Sequence, residues 1–353
     1  MAKKNPIFNF PHMKGGEEEV MRGLKSDPDS YLRYLKLNKE WKSRFMDFCT
    51  GKKTLPLTYD PFFKRIFNPE IHPRRLSRFL SCLLGIPVKV VRTLPLEETM
   101  LDGSVLMIMD ILVELEDGSY ANVEIQKIPY AFPGERISCY SSDLVLRQYS
   151  RAKGENGEGF TYRDMKKVYT IVIFEKSTGI FHELPEFCVH KGKTVFDTGL
   201  KMELLQEYCL VALDVFRDIP YPKIRSEQIA WLSLLATEDT KEAEELVVEY
   251  PWLEEIYEEM AGLMHNPGEV LNMFSDALHK LDQNTVQYMI EELEKEKQKA
   301  EEERLEEAKR RQAAEEEKKE EIKRRQEAED LLKEKERQLA ELKELLEKAK
   351  KFP

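Results

Sequence analysis

The sequence LMIMDILVELEDGSYANVEIQKI, residues 106–128, places two largely apolar, strand-like runs on either side of a Glu-Asp-Gly turn. This pattern predicts a β-hairpin, and glycine in the last position of a three-residue loop at 116–118 suits the left-handed residue found there. With that loop, Asp110 lies directly opposite Glu124. A two-residue Asp-Gly loop would shift the register by one residue and mix polar and apolar side chains on both faces, so the three-residue loop is favoured.

Side chains alternate along each strand, so the predicted hairpin collects Asp110, Glu124 and Gln126 on one face. Two facing carboxylates repel each other unless they are protonated, hydrogen-bonded or bridged by a cation. A hard cation such as Mg²⁺ prefers oxygen ligands and suits this pair. A polar, solvated sheet face is the alternative interpretation. The opposite face is wholly apolar and is predicted to be buried: Met109, Ile111, Val113, Leu115, Ala121, Val123 and Ile125.

The regions around the hairpin alternate between strand-like and helical patterns. Further strand-like runs lie at 88–94 and 167–175, and residues 135–152 show helical periodicity. Strands interrupted by helices predict an α/β fold with a mixed central sheet flanked by helices. We divide the chain into four segments, namely a helical N-terminal extension (1–53), the α/β core (54–222), a helical subdomain (223–285) and a charged helix with partial coiled-coil character (286–353).

The last segment consists almost entirely of Glu, Lys, Arg, Gln, Ala and Leu. Acidic residues stand four positions before basic ones, as in Glu307–Arg311, which supports a solvated helix. Heptad-like apolar spacing appears only at its two ends, and its middle is too polar for a continuous seam. We therefore expect an exposed helix that pairs at its ends and so supports a homo-oligomer. A coiled-coil scaffold is the weaker alternative. The heptad-like positions are Val286, Met289, Leu293, Leu339, Leu342, Leu346 and Ala349.

Bulk composition excludes several classes of protein. The 353-residue chain has a net charge of −11, which is not the global signature of a nucleic-acid-binding protein, yet residues 60–167 are balanced in charge and can still form a basic groove. Five scattered cysteines without a CxxC pair argue against a zinc site and a disulfide framework. No run approaches the roughly 18 apolar residues that span a bilayer. We expect a soluble, cytoplasmic protein that is not associated with a membrane.

A helix is predicted just after residue 58, in TYDPFFKRIF. Asp60 stands at a predicted N-cap and Pro61 at the first helical position. The aromatic and aliphatic residues that follow would form its buried stripe: Phe62, Phe63, Ile66 and Phe67. The next helix, RRLSRFLSCLL, is predicted to stop at Gly85.

These motifs, taken in order, resemble the PD-(D/E)XK nucleases. Asp110, a hairpin turn and then Glu124-Ile125-Gln126 is similar to their active-site pattern, and the glutamine variant resembles the transposase-like branch, the recombination-promoting nuclease family. TYDPFFKRIF is similar to that family's opening Asp-x-x-Phe-Lys-x-x-Phe motif. ERISCYSSDLVLRQY resembles its Arg-x-x-x-Tyr helix, and YRDMKKVYTIVIFE its following tyrosine and strand. The resemblance covers about residues 55 to 285.

The resemblance implies a restriction-endonuclease-like core and an enzyme that cleaves DNA phosphodiesters with Mg²⁺, or with Mn²⁺ as a substitute. Carried over, Asp110 and Glu124 are the metal ligands and, with Gln126, the catalytic residues. The supporting candidates are Asp60, Lys64, Arg136 and Tyr140.

Several alternatives remain open for these residues. Gln126 stands where most relatives have lysine, and glutamine can orient water or donate a hydrogen bond but cannot offset charge. A catalytically weak or inactive protein that binds DNA or protein partners through its charged tail is therefore the alternative function. Asp60 is either a metal-site acid or a helix cap, and Lys64 either contacts phosphate or lies on a polar helix face. Arg136 and Tyr140 either position phosphate or pack against the sheet.

Overall fold

The computed structural model describes residues 9–11, 16–94, 110–127, 134–219 and 225–349. The chain forms two compact units, 1–286 and 287–353. Across the described ranges, no helix has both the length and the apolar character required to cross a membrane. Met109, which belongs to the predicted apolar face, lies outside the described residues.

The first unit is built around a mixed six-stranded sheet in the order β1-β2-β3-β4-β6-β5. Strands β1 to β3 pair in antiparallel fashion, β3, β4 and β6 are parallel, and β5 pairs antiparallel with β6 at the edge. The prediction of a mixed sheet flanked by helices is thereby confirmed. The strands are β1 (Val90–Thr93), β2 (Ile111–Leu115), β3 (Tyr120–Gln126), β4 (Val168–Phe174), β5 (Val189–Lys193) and β6 (Gln206–Ala212).

The hairpin of β2 and β3 has the predicted register. Gly118 has φ +84°, and its N–H donates to the carbonyl of Leu115 at 2.9 Å, which closes the three-residue loop. Ile111 pairs with Val123, and so the residues before and after them, Asp110 and Glu124, stand opposite each other. The predicted apolar face, as far as it is described, is buried in the main core.

The second face of the sheet is covered by the long helix α6 (Gly134–Asn156). Leu112 and Tyr120 of the hairpin pack there against Ile137, Tyr140 and Leu144 of α6. Asp110, Glu124 and Gln126 lie on this same face because side chains alternate along the strands. The functional candidates are thus enclosed between sheet and helix.

The other helices of the first unit pack into the main core on the opposite side of the sheet, except for the short helix that carries Phe181, which packs against Phe174 on the α6 side. Within the N-terminal extension, residues 28–49 form two helices, because the Asn38 side chain accepts a hydrogen bond from Trp41 N–H (3.0 Å) and starts the second one. Gly85, in the left-handed conformation, ends α5 as predicted. The early helices are α1 (Gly16–Ser26), α2 (Pro28–Lys36), α3 (Lys39–Cys49), α4 (Asp60–Ile66) and α5 (Pro73–Leu84). The later ones are α7 (Gly179–His182), α8 (Leu213–Asp218), α9 (Glu227–Ala236), α10 (Thr240–Glu249), α11 (Glu254–Leu263) and α12 (Pro267–Ala349).

The second unit consists of the part of α12 beyond residue 286. Its described side chains are exposed, and ion pairs link residues four apart, such as Glu306–Arg310 (2.6 Å) and Glu307–Arg311 (2.7 Å). Leu332, Leu339 and Leu342 are each more than half exposed. Pairs of this kind stabilise a solvated helix by roughly 0.2–0.5 kcal/mol each.

Candidate active site

The centre of the site is a pair of carboxylates held by main-chain hydrogen bonds across the β2–β3 hairpin. The N–H of Asp110 donates to Glu124 Oε1 at 3.1 Å, and the N–H of Ile125 donates to Asp110 Oδ2 at 3.0 Å. Each carboxylate is therefore anchored by the backbone of the opposite strand. This exchange of hydrogen bonds fixes both side chains at the start of β2 and near the end of β3.

The site lies on a buried face of the sheet. Glu124 is 2% exposed and Gln126 7%, and the side chain of Asp110 is 12% exposed. The interpretation of this face as a solvated polar surface is therefore wrong, because α6 covers it. Ionised carboxylates at such depth are costly unless charges or hydrogen bonds compensate them.

Helix α4 brings an acid and a base to the pair. Its buried stripe, with Phe62, Phe63 and Ile66 all fully buried, turns the opposite side of the helix toward the hairpin. Lys64 Nζ lies 2.7 Å from Asp60 Oδ1 and 3.5 Å from Asp110 Oδ1. Lys64 thus bridges two of the three acids of the site.

Asp60 is not the helix cap that its position before proline suggested. The N-cap of α4 is Tyr59, no side chain of the described residues caps this end, and Asp60 lies within the first turn. The helix-cap interpretation of Asp60 is therefore wrong. Its carboxylate instead pairs with Lys64 and raises the pKa of Asp110.

The electrostatics of the site follow from burial and crowding. Burial, followed by the negative charge of Asp60, raises the pKa of Asp110, and the positive charge of Lys64 opposes this. Burial, followed by the charge of Asp110, raises the pKa of Glu124 well above its usual range. Both carboxylates are thus destabilised in their charged form, and a bound cation would relieve both.

Helix α6 adds Arg136 and Tyr140, one turn apart. Arg136 Nη2 donates to the Tyr140 hydroxyl at 3.1 Å, and Tyr140 is 1% exposed. The pKa of Tyr140 is raised to about 12 by burial and then by the negative charge of Glu124, while the charge of Arg136 lowers the pKa of Glu124. The structure therefore brings every predicted site residue to one region.

Lys127 and Asn122 lie close to Glu124 and Gln126 in the sequence but differ in the face of the sheet to which they point. Lys127 follows Gln126 and points to the opposite face, where it forms an ion pair with Glu175 and its Nζ lies 3.4 Å from the centroid of the Tyr59 ring. Asn122 was not among the predicted site residues, yet its Nδ2 donates to Glu124 Oε1 at 3.0 Å. The signal was available, because Asn122 is two residues before Glu124 and shares its face.

The donor set suits a hard divalent cation. Among the residues with described positions, no three acidic, histidine or cysteine side chains form a complete metal cage. Mg²⁺ does not need one, since it usually keeps several waters and binds one or two protein carboxylates together with substrate phosphate. Asp110 and Glu124 provide such a pair.

The comparisons with known proteins agree with this geometry. No curated protein and no solved structure gave a significant match. PD-(D/E)XK nucleases generally use divalent metal ions, which agrees with the two carboxylates. Residues 57–289 match the family described as PD-(D/E)XK nuclease family transposase, and they include the hairpin, α4 and α6. The chain therefore belongs to the PD-(D/E)XK nuclease family transposases.

Proposed function

We propose that this protein is a Mg²⁺-dependent DNA endonuclease of the transposase-like, recombination-promoting type, which also works with Mn²⁺ and hydrolyses phosphodiester bonds. The observation that carries the proposal is the buried Asp110–Glu124 pair, tied across the hairpin by main-chain hydrogen bonds. A structural role for these acids is a poor explanation, because burying them raises both pKa values and costs stability. Membership of a nuclease family supports DNA as the substrate.

Asp110 and Glu124 would hold the cation through the carboxylate oxygens that their hydrogen bonds leave available. When bound, the cation would lower the pKa of the attacking water and polarise the phosphoryl oxygen. The side chains need little reorganisation for this task, since the backbone already fixes their positions.

Lys64 supplies the positive charge that Gln126 lacks. Its Nζ is 3.5 Å from Asp110 Oδ1, so it is within reach of a phosphate placed on the carboxylate pair. An ammonium group there offsets charge that develops in the transition state. Gln126 would orient the attacking water with its amide, and Arg136, at the start of α6, would bind a neighbouring phosphate.

The second candidate function is a catalytically weak or inactive nuclease-fold protein that acts through its charged tail. It is favoured by the neutral Gln126 and by the exposed leucines of the tail, Leu332, Leu339 and Leu342. Leu339 and Leu342 are predicted heptad positions, Leu332 lies one heptad before Leu339, and the three would pair two copies of the chain. Self-association of this kind is also compatible with an active enzyme.

Plasmid cleavage by the full-length protein tests the proposal. Supercoiled DNA is incubated with wild type, Glu124→Gln and Glu116→Gln, in Mg²⁺, in Mn²⁺ and with EDTA. Glu116 is the matched control, because it lies in the same hairpin but is exposed and pairs with Lys89. We expect cutting by wild type and Glu116→Gln, and none with EDTA or with Glu124→Gln.

Cutting that survives Glu124→Gln would show that the site is elsewhere. Folded wild-type protein that cuts in neither metal would favour the second candidate function, and a DNA-binding assay with the same three proteins would then follow.

A further inference from the structure

Asn122 lies beside the carboxylate pair, on the same face of the sheet as Glu124. It is fully buried in the middle of β3, and its Cα partners are Leu112 on β2 and Thr170 on β4. Its Nδ2 donates to Glu124 Oε1 at 3.0 Å. Burying an amide between two strands costs free energy unless its polar atoms are hydrogen-bonded.

The hydrogen bonds received by Glu124 determine which of its oxygens is left for a ligand. Oε1 accepts twice, from Asn122 Nδ2 at 3.0 Å and from the Asp110 N–H at 3.1 Å. Oε2 accepts no hydrogen bond from the residues that the structure describes. The Asn122 amide and the hairpin backbone thus hold one oxygen against the sheet and present the other outward.

A gain in folding stability does not explain why an asparagine occupies position 122. Its Oδ1 is buried and, within the described part of the chain, has no hydrogen-bond partner, and the same holds for Thr170 Oγ1 beside it. Leaving a buried polar atom unsatisfied costs about 1–3 kcal/mol. A leucine, whose side chain has as many heavy atoms, would avoid this cost, so the benefit of Asn122 lies in its bond to Glu124.

We propose that Asn122 is a positioning residue, which orients the Glu124 carboxylate for a divalent cation. This inference rests on the proposed function, in which Glu124 is a metal ligand. Groups that hydrogen-bond to metal ligands typically contribute 10- to 100-fold to metal affinity. Loss of the Asn122 amide should therefore weaken cation binding while the fold stays intact.

Direct Mn²⁺ binding to the full-length protein without DNA tests this role. The paramagnetic signal of free Mn²⁺ gives a dissociation constant for wild type, Glu124→Gln, Asn122→Leu, Asn122→Ala and Thr170→Val. Thr170→Val is the matched control, because it removes a buried polar atom from the same face without touching Glu124. Thermal unfolding of each variant verifies folding.

We expect Asn122→Leu and Asn122→Ala to bind Mn²⁺ about 10- to 100-fold more weakly, with Thr170→Val unchanged. Asn122→Leu should unfold at or above the wild-type temperature. Wild-type affinity for Mn²⁺ in both Asn122 variants, or an equal loss of affinity in Thr170→Val, would overturn the inference about Asn122. Neither result would contradict the metal site at Asp110 and Glu124. Absence of Mn²⁺ binding by the wild type would overturn the metal site itself and the inference with it.

Discussion

For single residues of the site, burial raises the pKa of the acids, and neighbouring positive charges lower it. Burial is the largest cause of the raised pKa of both Asp110 and Glu124, and the acids add to each other's cost. The positive charge of Lys64 reduces this cost for Asp110, and that of Arg136 reduces it for Glu124. The sequence pointed to Asp110 and Glu124 because carboxylates stand out in an apolar hairpin, whereas Lys64 and Arg136 were candidates through the resemblance to the nuclease family. Asn122 was not predicted, although it shares the face of Glu124, because its neutral amide stands out less among apolar residues than a carboxylate does.

Lys64 provides the first prediction. Lys64→Met should lower the rate of DNA cleavage about 100-fold at saturating Mg²⁺, because a charge that stabilises the transition state is lost. Adding Gln126→Lys to that variant should restore part of the rate, since it returns an ammonium group to the site. Single-turnover cleavage rates measure both effects. An unchanged rate in Lys64→Met would mean that Lys64 serves only to pair with Asp60.

Lys127 gives a prediction about pH. Burial lowers its pKa to about 8, while Glu175 and Glu238 act in the opposite direction and Arg44 adds to the lowering. Its ordinary value is 10.5, so between pH 8 and 10.5 the unfolded chain binds more protons than the folded one. Stability due to this group therefore rises with pH across that window, by at most about 3 kcal/mol.

Denaturant unfolding of wild type and Lys127→Met at pH 7.5, 9 and 10 measures this effect. The free energy of unfolding of wild type should increase relative to that of Lys127→Met as the pH rises. Lys176→Met is the control, because Lys176 is exposed in the loop after β4. A difference between wild type and Lys127→Met that stays constant with pH would contradict the prediction.

At the scale of elements, the β2–β3 hairpin was predictable because alternation and one glycine fix its register. The strands β5 and β6 were not identified. β5 is a short edge strand with the sequence VHKGK, and its polar residues and glycine do not form a strand pattern. It joins the sheet by pairing with β6. The position of the α4 N-terminus was off by one residue, since Tyr59 takes its cap position without a capping side chain. These features depend on tertiary contacts.

Gly118 carries the prediction at this scale. Its φ of +84° is unfavourable for a residue with a Cβ, and a Cβ there would meet Lys166 Cγ at 3.4 Å. Gly118→Ala should therefore lower the free energy of unfolding by about 1–2 kcal/mol. Gly159→Ala is the control, because its Cβ would meet nothing within 4 Å and its φ is not positive. Equal stability of the two variants in urea unfolding would show that the loop tolerates the strain.

At the scale of the whole molecule, the first unit joins segments that the sequence suggested were separate. Trp41 of α3, Phe62 of α4 and Phe274 of α12 share one core, and the ring of Phe274 packs edge-on against the other two. Periodicity predicted the helices but could not show which helices pack together. The division of the chain into four segments remains a prediction.

The charged tail carries the last prediction. Replacing Leu332, Leu339 and Leu342 together with glutamine should convert a self-associated protein into a monomer, because their heptad positions form the proposed seam. Sedimentation equilibrium of the full-length protein measures its mass. Leu305→Gln is the control, since Leu305 is equally exposed but lies off these heptad positions. If the wild type is already a monomer at high concentration, the tail does not pair copies of the chain.

The exchange of main-chain hydrogen bonds between Asp110 and Glu124 has an evolutionary consequence. The donors are peptide N–H groups, which are present whatever side chains the neighbouring positions carry. Drift at hairpin positions other than Asn122 therefore leaves the arrangement of the pair untouched, provided that the register survives and no proline removes a donor. A descendant that gives up cleavage would do so most directly by changing Asp110, Glu124 or Asn122. The history of activity in such descendants could then be read from these three positions.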